Sequence, residues 1–243
     1  FIIEEGFPYA DLARIVESMA AELTKSGARI VCGDTKVVPK GAADKIFINT
    51  SGVGTFPLPE QSRGISVRNL KAGDAILVSR DIGSHGACIL MARDALQLGS
   101  TLKSDCTTLW PQVEALLQAG ITPHALRDAT RGGLAAVLNE WSSASGVAIE
   151  LEESAIPVCD PVRGLCELYG FEPHDLANEG TMVLALPAEQ AQDALGILQQ
   201  FNPAASQIGV VQASDRHKVI LNNPWGSRRY LELPQGELLP RIC

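Results

Sequence analysis

The stretch Asp128-Ala-Thr-Arg-Gly-Gly133 is the most informative in the chain. It places an acid, a hydroxyl, a guanidinium and two glycines where a helix opens, and that helix runs to about Ser145. Exposed N–H groups at a helix N-terminus favour anions. In that setting Asp128 can bind the metal that bridges phosphate groups. The same residues also make a glycine-rich turn with Asp128 as the helix N-cap. Both readings stay open at this point.

Outward from this stretch the chain reads as alternating short strands and helices. Upstream, 75–79 is a short buried strand, the segment Gly83-Ser-His-Gly86 opens a helix through about Leu98, and 109–118 is helical. Downstream come a strand over 147–151, a helix over 161–169 with proline in its first turn, a strand over 182–186 and a helix over 188–200. Two or three short strands complete an α+β domain over 64–230. Residues 1–60 read as part of an α/β unit. A helix over 10–25 carries the apolar stripe Leu12, Ile15, Val16, Met19, Ala20 and Leu23, and Gly27 sits where a helix-stopping glycine belongs. Strands are expected over 28–32 and 45–50. Pro57, Pro59 and the adjoining Glu-Gln-Ser-Arg-Gly make a linker. Residues 231–243, with two prolines and a glycine among the last ten, form a tail expected to be mobile. Phe1-Ile2-Ile3 reads as a strand already under way, so an incomplete N-terminal domain is expected.

Three further constellations bear chemistry. Gly33-Asp34-Thr35-Lys36 comes after the expected strand over 28–32. Its glycine lets backbone approach a phosphate, Asp34 can hold Mg²⁺ and Lys36 can neutralise phosphate charge, while the plain alternative is a turn with solvated charges. His85 precedes a helix and can touch phosphate or donate a proton, or it is an ordinary loop residue. Glu179, in Asn178-Glu-Gly180 at a strand entrance, can serve as a general base if its pKa is tuned, or the tripeptide is a turn. His124, His174 and His217 lack ligand-like spacing, so no zinc site is expected.

Cys243 ends the sequence on the tail. Its plain reading is an accidental, exposed thiol prone to oxidation; its functional reading is a thiol arm carrying a covalent group into a site elsewhere, with Arg241 only weakly favouring the thiolate. A prenylation box needs its cysteine four residues from the end and is excluded.

Composition narrows the classes. The 243 residues are 46% hydrophobic and 20% charged, which excludes a largely disordered or collagen-like chain. A net charge of −8 gives no general attraction for nucleic acid. No apolar run reaches membrane-spanning length. Six cysteines without a C-x-x-C pair, spread through apolar segments, suit buried thiols of a reducing, cytoplasmic compartment.

Taken together, Ile3-Glu-Glu-Gly6, Gly33-Asp-Thr-Lys-Val-Val38, Phe47-Ile-Asn-Thr50, Arg127-Asp-Ala-Thr-Arg-Gly-Gly133, Asn178-Glu-Gly180 and Pro240-Arg-Ile-Cys243 resemble the hydrogenase maturation family HypE, the carbamoyl dehydratases. The resemblance covers essentially the whole chain. The terminal tetrapeptide separates this family from the related aminoimidazole ribonucleotide synthetases, selenide water dikinases and thiamine monophosphate kinases. The resemblance implies a PurM-like α+β (α/β) two-domain fold, in which 1–60 is the C-terminal portion of an ATP-binding, dimerising α/β domain and 64–230 is the α+β domain. It further implies a family segment preceding Phe1, with an Asp-Ser motif, further Asp ligands and a Gly-rich stretch.

The chemistry implied by the resemblance is ATP-dependent. The carbamoyltransferase HypF places a carbamoyl group on Cys243, dehydration turns it into a thiocyanate, and cyanide passes to iron on the HypC–HypD complex for [NiFe]-hydrogenase. Under this reading Cys243, Glu179 and Lys36 are catalytic. Gly33, Asp34, Thr35, Lys36, Asp128, Arg131, Gly132, His85 and Asn178 bind the nucleotide, and Asp34 and Asp128 hold Mg²⁺. Two other readings are a PurM-like enzyme acting on a free small molecule, and a non-catalytic docking module.

Overall fold

The computed structural model describes residues 1–55, 64–93 and 101–234. It divides the chain into two compact units, Phe1–Pro57 and Leu58–Cys243. In the first unit, strand β1 (Ile2–Glu4) pairs in parallel with β2 (Lys36–Val38) and antiparallel with β3 (Ile46–Phe47). Helix α1 (Tyr9–Ser26) ends at Gly27, whose left-handed φ of 69° suits a residue without Cβ. The stripe of α1 is only half covered: Leu12, Ile15, Met19 and Leu23 are intermediate, and Val16 and Ala20 are exposed. Ile2, Val37 and Phe47 of the small sheet are exposed as well.

The expected strand over 28–32 does not form. The segment is irregular and exposed, so Ile30 and Val31 bury nothing against a sheet. β-propensity expresses packing on a half-buried pleated surface, which these residues lack. The strand expected over 45–50 shrinks to Ile46–Phe47, the two residues that pair with Ile3 and Ile2 of the three-residue strand β1. The expected linker at Pro57 and Pro59 lies outside the described residues.

The second unit is built on a seven-stranded sheet of order β10-β9-β6-β8-β4-β7-β5. Its elements are β4 (Ala75–Val78), α2 (Ser84–Arg93), α3 (Trp110–Gln118), β5 (Ala125–Asp128), α4 (Gly133–Ser145), β6 (Ala148–Glu152), α5 (Asp160–Tyr169), β7 (Met182–Leu186), α6 (Ala191–Phe201), β8 (Ser206–Gln212), β9 (Val219–Asn222) and β10 (Arg228–Tyr230). Every pairing is antiparallel except β6 with β9. The central strands β4 and β7 are buried along their whole length, so they read as unbroken apolar runs.

Alternate side chains feed two cores. Ile76, Val78, Val183 and Ala185 join Leu134, Leu138 and Trp141 of α4. Ala75, Leu77, Leu184 and Leu186 join Leu116 of α3 and Ala194 and Leu198 of α6. Trp141 is fully buried, and removing ~200 Å² of aromatic surface from water is worth on the order of 5 kcal/mol before entropy. A third cluster packs Ala87 and Leu90 of α2 against Val162 and Leu165 of α5. Helix α2 is described only to Arg93, so the expected extension to Leu98 lies outside the described residues. No helix among the described residues is long and apolar enough to cross a membrane.

Candidate active site

Sheet register assembles the site. In the order β4-β7-β5 the antiparallel ladders set Val78 beside Val183 and Asp128 beside Met182. The chain leaving β4, the chain leaving β5 and the chain entering β7 therefore meet at one end of the sheet. They carry His85, the stretch from Asp128 to Gly133, and Asn178-Glu-Gly180 respectively.

Asn178 joins all three. It is fully buried. Its Oδ1 accepts the Gly83 amide at 2.6 Å, and its Nδ2 donates to Ala129 O at 2.9 Å and Leu176 O at 3.1 Å. Each bond satisfies a backbone group that burial would otherwise leave costly. The side chain is thus spent on holding the loops.

Asp105 is the second hub, and sequence reasoning missed it. It is 1% exposed. Its carboxylate accepts the amides of Glu179 at 3.1 Å and Gly180 at 2.9 Å, and the Thr181 hydroxyl at 2.9 Å. A Cβ on Gly180 would stand 1.9 Å from Asp105 O, so only glycine allows this approach. The segment Ser104-Asp-Cys106 lies between two helices with no periodicity to announce it, and Ser104 and Cys106 are as silent in the sequence as Asp105. His85 Nδ1 lies 2.8 Å from Ser104 Oγ and 3.6 Å from Cys106 Sγ.

Glu179 is half-buried beside these groups. Burial raises its pKa above the ordinary glutamate value. His85 opposes the rise, and Asp105 and Asp128 add to it. A carboxylate whose proton affinity is raised this way is a better general base near neutrality.

Helix α4 is capped by Gly132 at a left-handed φ of 74°, with no side-chain cap. The alternative of Asp128 as N-cap is therefore corrected: Asp128 ends β5 with an exposed carboxylate. A Cβ on Gly133 would come within 2.4 Å of His174 O. The chain beyond β10 returns to this loop. Asn139 Nδ2 of α4 donates to Leu231 O at 2.8 Å, and Pro234 Cγ lies 3.9 Å from where a Cβ on Gly132 would stand.

The sequence-derived residues fall into three groups. His85, Asp128, Arg131, Gly132, Asn178 and Glu179 belong to the second unit. Gly33, Asp34, Thr35 and Lys36 belong to the first unit, all exposed, with Asp34 Oδ1 accepting the Thr35 amide at 2.8 Å. Cys243 lies outside the described residues. Among the described residues no group of three or more His, Cys, Asp or Glu is arranged to hold a metal ion. The expectation of buried thiols is corrected. Of the five described cysteines, all free, only Cys166 is buried, Cys88 and Cys159 are intermediate, and Cys32 and Cys106 are exposed because their segments are irregular loops.

Comparison with known proteins bears on this arrangement. Residues 71–222 match the AIR synthase related protein, C-terminal domain. The carbamoyl dehydratase HypE of Azotobacter vinelandii is 45% identical over the whole of this chain, which spans 71% of that protein. A crystal structure of hydrogenase maturation protein HypE in complex with ATP superposes with a TM-score of 0.93 at 38% identity, covering 100% of this chain and 73% of that one. HypE in a HypE–HypF complex gives 0.88 at 41% identity, covering 96% of this chain and 75% of that one. The fold is thus PurM-like, and this level of identity along the whole chain, joined to the architecture built above, means that the chain belongs to the carbamoyl dehydratase HypE family.

Proposed function

We propose that this chain carries out the ATP-dependent dehydration of a carbamoyl group on the Cys243 thiol, supplying cyanide for [NiFe]-hydrogenase maturation. The observation that carries the reading is the meeting of Glu179, His85, Asp105 and Asp128 at one sheet end, with Pro234 packed against Gly132 of the same loop. Cys243 lies nine positions beyond Pro234, and an extended chain of that length spans up to about 30 Å. Tethering the thiol to a chain that returns to this loop raises its effective concentration near the site.

Direct loss of water from Cys243–S–C(=O)–NH₂ would need oxide as leaving group. Transfer of the ATP γ-phosphoryl group to the carbonyl oxygen makes phosphate the leaving group instead. As the C–O bond breaks, both nitrogen protons are lost and C≡N forms, giving the thiocyanate, ADP and phosphate. Glu179 takes one nitrogen proton, the departing phosphate takes the other, and Lys36 neutralises phosphate charge. Asp105 fixes Glu179 through its backbone amide, and Asn178 positions the surrounding loops.

Gly33, Asp34, Thr35, His85, Asp128, Arg131 and Gly132 serve the nucleotide. Asp34 in the first unit and Asp128 in the second each offer an exposed carboxylate, a hard oxygen donor of the kind that Mg²⁺ prefers. When bound, the ion neutralises phosphate charge.

The relative solved with HypF supports HypF as the carbamoyl donor enzyme. HypC–HypD is the proposed cyanide acceptor, in the cytoplasm. The exposed apolar residues of the first unit, among them Ile2, Val37 and Phe47, fit a role in homodimerisation. By this reading 1–60 belongs to the ATP-binding, dimerising domain, 64–230 is the second domain and 231–243 is the thiol-bearing tail.

The test is intact-mass analysis after HypF and carbamoyl phosphate, before and after Mg·ATP. Expected is an adduct on Cys243 that loses one water with ATP. An adduct on a different residue, or one indifferent to ATP in a chain shown to bind the nucleotide, overturns the reading.

A further inference from the structure

The second unit contains a cavity of about 400 Å³ formed by α5, the turn Glu153–Ala155 and the chain from Gly170 to His174. That volume falls among those of small-molecule sites. His174 lines the cavity and is 4% exposed, yet its Nδ1 is buried without a hydrogen-bond partner. Glu172 Oε2 stands 3.7 Å away, too far for a hydrogen bond. A polar atom buried so is costly unless something supplies the missing bond. The turn that carries His174 is pinned from behind. A Cβ on Gly133 would stand 2.4 Å from His174 O, and Asn178 Nδ2 donates to Leu176 O at 3.1 Å. The ring is thus placed by backbone packing rather than by a bond of its own.

Charge states what would fit there. Glu153, Glu167 and Glu172 line the cavity together with Arg163. Arg229 of β10 binds Glu172 at 3.1 Å and approaches Glu153 at 3.9 Å. Three carboxylates are therefore met by two guanidinium groups, and one negative charge is left over. Burial first and Glu172 next push the Cys166 thiol up to about 11 and the Asp175 carboxyl up to about 6, so the field of Glu172 reaches both. Burial lowers His174 to about 4, which leaves the ring neutral near neutrality. With its proton on Nε2, such a ring accepts at Nδ1. A cation with several N–H donors matches both the nitrogen and the carboxylate beside it.

The walls narrow the cation further. Phe171 lines the cavity and stacks on Tyr169, with ring centroids 5.8 Å apart and planes 13° from parallel. An aromatic wall beside carboxylates favours guanidinium over ammonium. Guanidinium is flat and weakly hydrated and lies on ring faces, whereas ammonium holds its water more strongly. Val158, which also lines the cavity, offers apolar surface to an alkyl stem.

We propose that this cavity is a binding site for an alkylguanidinium cation, with N–H donors on His174 Nδ1 and the Glu172 carboxylate and the alkyl stem on Val158 and Phe171. The site stands on the cavity and is independent of the dehydratase reading, since none of these residues belongs to the candidate active site. A free guanidino compound and an arginine side chain of another protein share this chemistry.

Calorimetric titration of the whole chain with N-butylguanidinium tests this, beside N-butylurea, a neutral molecule of nearly the same shape. Expected is saturable one-to-one binding of butylguanidinium with a Kd on the order of 1 mM, and binding of butylurea at least about tenfold weaker. Glu172→Gln should weaken butylguanidinium at least about tenfold. His174→Leu, which removes the orphaned nitrogen, should weaken it likewise. The Glu172 side chain is half-exposed, so its variant keeps the test readable should His174→Leu fail to fold. Glu189→Gln, outside the cavity, should change nothing. N-acetylarginine methylamide separates the two sources: an affinity equal to that of butylguanidinium assigns an arginine side chain, and an affinity about tenfold lower assigns a free cation. Equal binding of butylurea overturns the proposal. So does an affinity for butylguanidinium that Glu172→Gln leaves unchanged, or the absence of saturable binding below about 50 mM.

Discussion

Asn178 Oδ1 accepts the amide of Gly83 at 2.6 Å across ninety-five positions of sequence. Asn178→Ala would strand that buried N–H and remove the amide's bond to Leu176 O, while Ala129 O keeps the Asn178 backbone amide. Each orphaned group costs about 1–3 kcal/mol. The expected loss is therefore on the order of 2–4 kcal/mol, read as a lower urea midpoint at unchanged slope. Dehydration should fall with it, since both loops bearing candidate site residues lose their tie.

Gly180→Ala tests the contact with Asp105. The new Cβ would meet backbone, not a yielding side chain, at 1.9 Å. The segment at Asp105 must move away, breaking the bonds that orient Glu179 and Gly180. We expect at least a hundredfold loss of turnover, on the order of 3 kcal/mol of barrier, with nucleotide affinity reduced much less. Turnover near that of the parent chain would remove Asp105 from the positioning of Glu179.

Glu179 predicts opposite effects on activity and stability. Burial, chiefly, raises its folded pKa, helped by Asp105 and Asp128 against His85. The native state therefore holds its proton to higher pH than the unfolded chain, and ionisation costs stability as pH rises through the folded value. Glu179→Gln should stabilise the chain at neutral pH, and the gain should vanish below the ordinary glutamate range. The same variant should lose turnover, and in the parent chain the acid limb of the rate profile should lie above that range.

His174 and Asp175 oppose each other. Burial, against Glu172 and with Arg229, lowers the His174 pKa to about 4. Burial, with Glu172 and against Arg229, raises Asp175 to about 6. A depressed histidine contributes a loss of stability as pH falls from about 6.5 to 4, on the order of 2–3 kcal/mol. A raised carboxyl contributes a loss as pH rises from about 4 to 6. Asp175→Asn should therefore yield a chain that weakens toward acid across this window. His174→Gln should yield one that strengthens toward acid. Chemical unfolding across the window, showing the same slope in both variants, would contradict the assignment.

Much of the second unit was legible because its signals are local. The apolar run Met182–Leu186 is a strand with the bounds read from sequence. The helix of Gly133–Ser145 begins at the glycines and stops before Gly146 at a left-handed φ of 67°. The stretch 28–32 failed the same reasoning: its residues favour a strand, but they stay exposed and pack on no sheet. Asp105 gave no local signal, since its importance lies in bonds to residues more than seventy positions away.

Sequence by itself determined where most helices and strands of the second unit lie, and marked His85, Asp128, Asn178 and Glu179 as residues of interest. Periodicity and glycine placement act within a few residues, so they can be read without knowing what packs on them. Only the tertiary structure decided that these residues share one end of a sheet, that Asn178 is a tie, and that Pro234 returns the chain to Gly132. Those facts depend on the pairing of β4 and β5 with β7. Pairing is chosen by burial of both faces at once, a property of the assembled sheet rather than of any one segment.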